Sequence, residues 1–77
     1  MSREAFRTSD LALTAYLMLC GYTVRRIDTD AQGKGTFLID DRPDRPERVL
    51  EFFNRKAAVE PLAFLDQLKT LKSLLRQ

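Results

Sequence analysis

Lys69, Lys72 and Arg76 recur at three- and four-residue spacing toward the end of the 77-residue chain, and Arg55 and Lys56 stand side by side before them. Arg25 and Arg26, with Lys34 a little further on, make a second basic group. Repeated cations on one helix face are what a row of phosphates needs, because each neutralised phosphate releases condensed counterions. The same pattern also describes a solvated face, since Lys and Arg near a helix C-terminus are favoured by the macrodipole. No helix-turn-helix or ribbon signature accompanies these cations. Contact with a nucleic-acid backbone, with little reading of bases, is the chemistry they fit.

The acids form their own set: Asp28, Asp30, Asp40 and Asp41. Carboxylates borne on strands can hold Mg²⁺ for a nuclease, but the lysine that would follow such an acid by two residues is missing. Asp at strand ends serves turns and caps, and that is the expected role. A single Cys and no His leave no His/Cys zinc site, no His-based triad and no disulfide within the chain. Cys20 falls at a predicted helix C-terminus, whose negative end does not activate a thiolate, so inert packing is expected. Gly33 and Gly35 make a G-x-G, but no helix begins after them to complete a phosphate loop. No enzyme activity, metal or cofactor is expected. Tyr16, Tyr22, Phe37, Phe52, Phe53 and Phe64 are expected in the core; Phe37 is the one candidate for base stacking, if its face of the sheet is open.

Composition sets the scale on which those residues are held. With 44% hydrophobic residues the chain is too apolar to be disordered, and at this length it makes one domain. A core this small rarely supplies more than about 3–5 kcal/mol. Residues 27–47 carry three basic against six acidic groups, and residues 48–77 carry six against three, which predicts two faces of opposite sign. Met1 to Phe6 is polar and the longest apolar run is only Ala15 to Cys20, so no leader or membrane span is expected and the protein is placed in the cytoplasm.

The positioning elements follow from periodicity and caps. Thr8-Ser9-Asp10 predicts a helix start, with Thr8 or Ser9 as the cap, and Gly21 a left-handed stop. Between them only Thr14 is clearly polar, so this helix is apolar on every side. Tyr22 to Asp28 and residues 34–40 predict strands of a hairpin, turning through Asp30 to Gly35. Phe37 and Ile39 share one face. Ile27 is out of phase with Tyr22 and Val24, which predicts a bulge or an early end. Asp44-x-x-Glu47 resembles a capping box opening a helix over Arg45–Asn54, with Val49, Leu50, Phe52 and Phe53 apolar. Ala57-Ala58-Val59 is left between a loop and a short strand. Pro61 starts a last helix whose Phe64, Leu68, Leu71 and Leu75 form a stripe widened by Leu65 and Leu74.

Phe6-Arg7-Thr8-Ser9-Asp10-Leu11-Ala12-Leu13 through Gly21-Tyr22 is similar to the opening of a family of short bacterial and phage domains. Thr36-Phe37-Leu38-Ile39-Asp40 and the tail Phe52-Phe53-Asn54, Ala58-Val59-Glu60-Pro61, Phe64 and Leu71-Lys72-Ser73-Leu74 resemble it too. That family is classed as a domain of unknown function. The resemblance spans nearly the whole chain and implies a stand-alone small domain of phage or mobile-element settings; it carries no functional residues with it.

The expected fold is α+β, one domain over residues 1–77, in the order α-β-β-α-α, with residues 1–7 a loose arm. The all-apolar helix and the small core predict a homodimer with Leu11, Ala15, Met18, Leu71 and Leu75 at its seam. The expected function is non-enzymatic: a nucleic-acid-binding or accessory protein using Arg55, Lys56, Lys69, Lys72, Arg76, Arg25 and Arg26 on phosphates. The alternative is a protein-interaction module docking on a larger partner.

Overall fold

A computed structural model describes residues 4–76. The chain runs through β1 (Ala5–Thr8), α1 (Leu11–Leu19), β2 (Val24–Thr29), β3 (Gly35–Asp40), α2 (Arg45–Phe53) and α3 (Pro61–Leu75). The α+β class stands, with one strand more than the sequence predicts. Residues 1–3 of the predicted loose arm lie outside the described residues, but Ala5–Arg7 are strand, antiparallel to β3 and on the side opposite β2. Four residues are too few to show alternation. β1 exists because β3 offers it an edge: Phe6 faces Ile39 and Thr8 faces Phe37.

The register explains the phase of Ile27. Val24 lies opposite Ile39, Arg26 opposite Leu38 and Ile27 opposite Phe37, with a register shift between Val24 and Arg26. One inserted residue turns both arginines outward and returns Ile27 to the inner face. On that inner face Phe37 and Ile39 pack with Leu13, Ala15, Tyr16, Leu17, Tyr22 and Leu71, and all eight are buried. Phe37 is therefore core and not a stacking platform. Leu38 points the other way, between Arg7 and Arg26, and is buried as well; the aliphatic stems of its two arginine neighbours suit that role.

α1 sits at the centre. Leu13, Thr14, Ala15, Tyr16 and Leu17 are consecutive and all buried, more than one full turn, so the helix is covered on every side. The cover comes from this chain: the sheet, α2 and α3. Phe52 of α2 stacks on Tyr16 with ring centres 5.7 Å apart. A nine-residue helix of about 14 Å is short enough for one sheet and two helices to enclose. The Thr14 hydroxyl, fully buried, donates to the Asp10 carbonyl at 2.8 Å.

The ends of the helices differ from their predicted caps. Asp10 caps α1, accepting from the Leu13 amide at 2.9 Å, while Thr8 accepts from the Asp10 amide. Asp44 makes no cap bond to α2; its carboxylate instead accepts the Tyr22 hydroxyl. Glu60, pushed into an extended conformation before Pro61, caps α3 by accepting from the Ala63 amide at 2.6 Å. Residues 56–60 are loop, with no strand over Ala57–Val59. No helix among the described residues is long and apolar enough to cross a membrane.

Candidate functional site

α3 places Leu62, Leu65, Lys69, Lys72 and Arg76 at spacings of three and four, so they lie along one stripe of the helix. All five are exposed, Leu62 at 68% and Leu65 at 49%. The stripe is apolar at its N-terminal end and cationic at its C-terminal end, where the charges also complement the helix dipole. Among the described residues no carboxylate forms an ion pair with its three cations. The opposite side of α3 is the anchor: Leu71 is fully buried, and Phe64, Leu68 and Leu75 pack on the core. Leu65 and Leu74, which the sequence assigns to that anchor, are exposed instead.

Arg55 and Lys56 stand at the end of α2. The Lys56 amide donates to the Glu51 carbonyl at 2.9 Å, and the Arg55 amide to the Phe52 carbonyl at 3.2 Å. These two bonds make a Schellman closure, whose turning residue must be left-handed. Arg55 takes that place at φ +60°, the one positive-φ residue other than Gly among the described residues. A side chain there costs about 1–2 kcal/mol. Both cations of this pair are exposed and without an ion pair among the described residues. Lys69 lies eight residues into α3, about 12 Å along its axis from Pro61, with Leu62 and Leu65 in between. The basic residues therefore fall into two groups separated by leucines.

Arg25 and Arg26 belong to neither group. Arg25 bridges Asp40 at 2.5 Å and Arg26 bridges Asp28 at 3.1 Å. The remaining acids are also engaged locally. Asp30 accepts from the Gln32 and Lys34 amides to hold the hairpin turn. Asp41 accepts from Arg45 at 3.1 Å, which holds its carboxyl below the ordinary carboxylate range. Among the described residues no three Asp, Glu, Cys or His side chains come together as a metal site.

Two residues of the predicted dimer seam are corrected. Ala15 and Leu71 have no exposed surface, and Leu11, Met18 and Leu75 pack against the core of their own chain. The exposed large apolar side chains are others: Leu50, Phe53, Val59, Leu62, Leu65 and Leu74. Leu50 and Phe53 are three apart on α2, a pair like Leu62 and Leu65 on α3. Continuing the spacing of Lys69, Lys72 and Arg76 backward by four and three residues would have found Leu65 and Leu62. Nothing in the sequence marks Arg55 as left-handed.

Cys20 lines a cleft of about 510 Å³ between the end of α1, α2 and the loop before α3. Burial and the neighbouring Cys20 thiol push the Tyr16 hydroxyl up from its ordinary pKa. Arg48, also in the wall, is shared among Glu51 at 2.7 Å, Glu47 at 3.6 Å and Asp44 at 4.0 Å.

The family model described as Domain of unknown function (DUF5659) matches residues 3–77. No curated protein and no solved structure matches the chain.

Proposed function

The chain belongs to the DUF5659 family, and on its geometry we propose that it is a protein-interaction module that docks through the outer stripe of α3. The observation that carries this reading is the exposure of Leu62 and Leu65 directly in line with Lys69, Lys72 and Arg76. Exposed apolar side chains grouped on one helix face and rimmed by charge are the usual make-up of a docking surface. The partner that fits is a protein surface with an apolar patch flanked by carboxylates. Leucines would supply the desolvated contact, and cations would steer the encounter and fix its register.

A second reading is kept because of Arg55. A strained backbone position occupied by a cation points to a use for that side chain, and with Lys56 and the α3 cations it suits phosphates. Under this reading the protein binds nucleic acid through two separated basic groups with little base preference.

One set of variants separates the two. Leu62→Glu with Leu65→Glu is expected to abolish complex formation with the native partner in co-purification, while Lys69→Glu with Lys72→Glu weakens it in a salt-dependent way. In low-salt gel shifts against single-stranded DNA, duplex DNA and RNA no binding is expected. A complex that survives the leucine changes overturns the docking surface. A gel shift that weakens steeply with salt and is lost on changing Arg55 and Lys72 replaces it with the second reading.

A further inference from the structure

α2 presents a second outward face, distinct from the stripe of α3. Pro46, Leu50 and Phe53 follow at spacings of four and three, so they lie along one side of the helix. All three are exposed, Leu50 at 61% and Phe53 at 57%. The Phe53 ring is braced from behind: it stands edge-on to Phe52, 5.2 Å between centres, and Phe52 stacks on the buried Tyr16. Charge is divided on either side of the apolar pair. Glu47 stands three residues before Leu50, and Lys56 three after Phe53 with Arg55 beside it. At the acidic end Asp44, Glu47 and Glu51 share the guanidinium of Arg48. Glu51 holds it most closely, at 2.7 Å, while Glu47 reaches it at 3.6 Å with a side chain still 77% exposed. At the basic end Arg55 and Lys56 are exposed, and among the described residues neither forms an ion pair.

From this we infer that α2 docks on α2 of a second copy of this chain, antiparallel, about a twofold axis between Leu50 and Phe53. The order acid, apolar, cation is its own complement when reversed, which is what a twofold contact requires of a single surface. Glu47, Leu50, Phe53 and Lys56 are evenly spaced, each step rising about 4.5 Å while the chain is helical. The axis therefore sets Leu50 of each copy against Phe53 of the other, and Glu47 of each level with Arg55 and Lys56 of the other. Leucine and a braced phenylalanine supply the desolvated centre, and the two charge pairs form the rim. The helix dipoles oppose, which adds to the fit. Arg55 gains a use in this arrangement: the turn that closes α2 holds a cation where the second copy brings its carboxylate. A parallel pairing would set acid on acid and cation on cation. One short helix from each chain makes a seam at the small end of interfaces, so the pair exchanges readily with monomer. This site uses none of the α3 stripe and stands or falls without it.

Sedimentation of the purified chain over a concentration series is the test. The mass is expected to rise from the 8.9 kDa of one chain toward twice that value. Leu50→Glu, at an already exposed position, is expected to hold the protein at the mass of one chain throughout. Glu47→Lys puts cations against cations at both ends of the seam, and Arg55→Glu with Lys56→Glu puts acids against acids. Each is expected to weaken self-association about tenfold. Mixed in equal amounts, these two charge-reversed proteins face each other with opposite charges at both ends and are expected to associate at least as well as the unaltered chain. That rescue cannot come from a variant that merely fails to fold. A single species of one-chain mass up to about 1 mM overturns the proposal. So does a dimer that survives Leu50→Glu, or a mixture of the charge-reversed proteins that stays apart. A dimer lost on Leu62→Glu with Leu65→Glu but kept on Leu50→Glu overturns it in favour of the α3 stripe.

Discussion

α1 and α2 end in the same way with different residues. After α1 the Tyr22 amide donates to the Leu17 carbonyl and the Gly21 amide to Met18, both at 3.0 Å; after α2 Lys56 donates to Glu51 and Arg55 to Phe52. The left-handed position is Gly21 at φ +95° in the first and Arg55 at φ +60° in the second. At the first end the choice is dictated by backbone and by space, because a Cβ on Gly21 would lie 3.3 Å from the Arg42 guanidinium. At the second end Gly would serve the backbone better than Arg. The hydrogen bonds do not need the Arg55 side chain, so its presence is a statement about the exterior.

The largest expected effect comes from breaking the first end. Gly21→Ala forces a side chain into the left-handed region and is expected to cost about 1–2 kcal/mol, read as a lower midpoint in urea. A change below a few tenths would mean that the turn can relax, and the two ends would then not differ in kind.

Next is the residue that follows Gly21. Burial first, and then its bond to Asp44, push the Tyr22 hydroxyl above its ordinary 10.0. The folded protein therefore holds this proton more tightly than the unfolded chain. The stability it contributes is complete below pH 10 and is lost as pH rises beyond it. Tyr22→Phe is expected to lower the urea midpoint at pH 7 modestly and to make the decline toward about pH 11 shallower. An unchanged alkaline slope would show that the hydroxyl is not tied to the fold as described.

The smallest effect has the opposite sign. Arg55→Gly relieves the strained position but loosens the unfolded chain, and is expected to stabilise by about 0.5–1 kcal/mol. The gain should come with weaker binding of an anionic partner. A loss of stability would instead show that Arg55 is there for the fold.

Much of this molecule was legible in its sequence. Gly21, Pro61 and the turn at Asp30–Gly35 marked their elements because each acts through its own backbone. The bulge was legible because Ile27 breaks the alternation set by Val24. What was hidden depends on residues distant in the chain. β1 is a strand only beside β3, and Asp44 leaves its cap for a hydroxyl 22 residues earlier. α1 looked unable to be covered by so short a chain, yet the sheet, α2 and α3 enclose it. The apolar surplus lies instead at Leu50, Phe53, Leu62 and Leu65. At the candidate site the cations were legible as a set. That Arg25 is held by Asp40 was not, since an ion pair across a sheet depends on register; Arg26 and Asp28, two apart on one strand, share a face by alternation alone.

Leu75 reaches back to the hairpin, and its Cδ2 occupies the place where a Cβ on Gly35 would stand. The missing side chain of a residue forty positions earlier is the seat of the final helical turn. During synthesis β1, α1 and the hairpin emerge first, and their greasy inner side has no lid until residues 71–75 have been made. Until those residues are made that side stays bare, and an unfinished chain exposing it is the form a holding chaperone would meet.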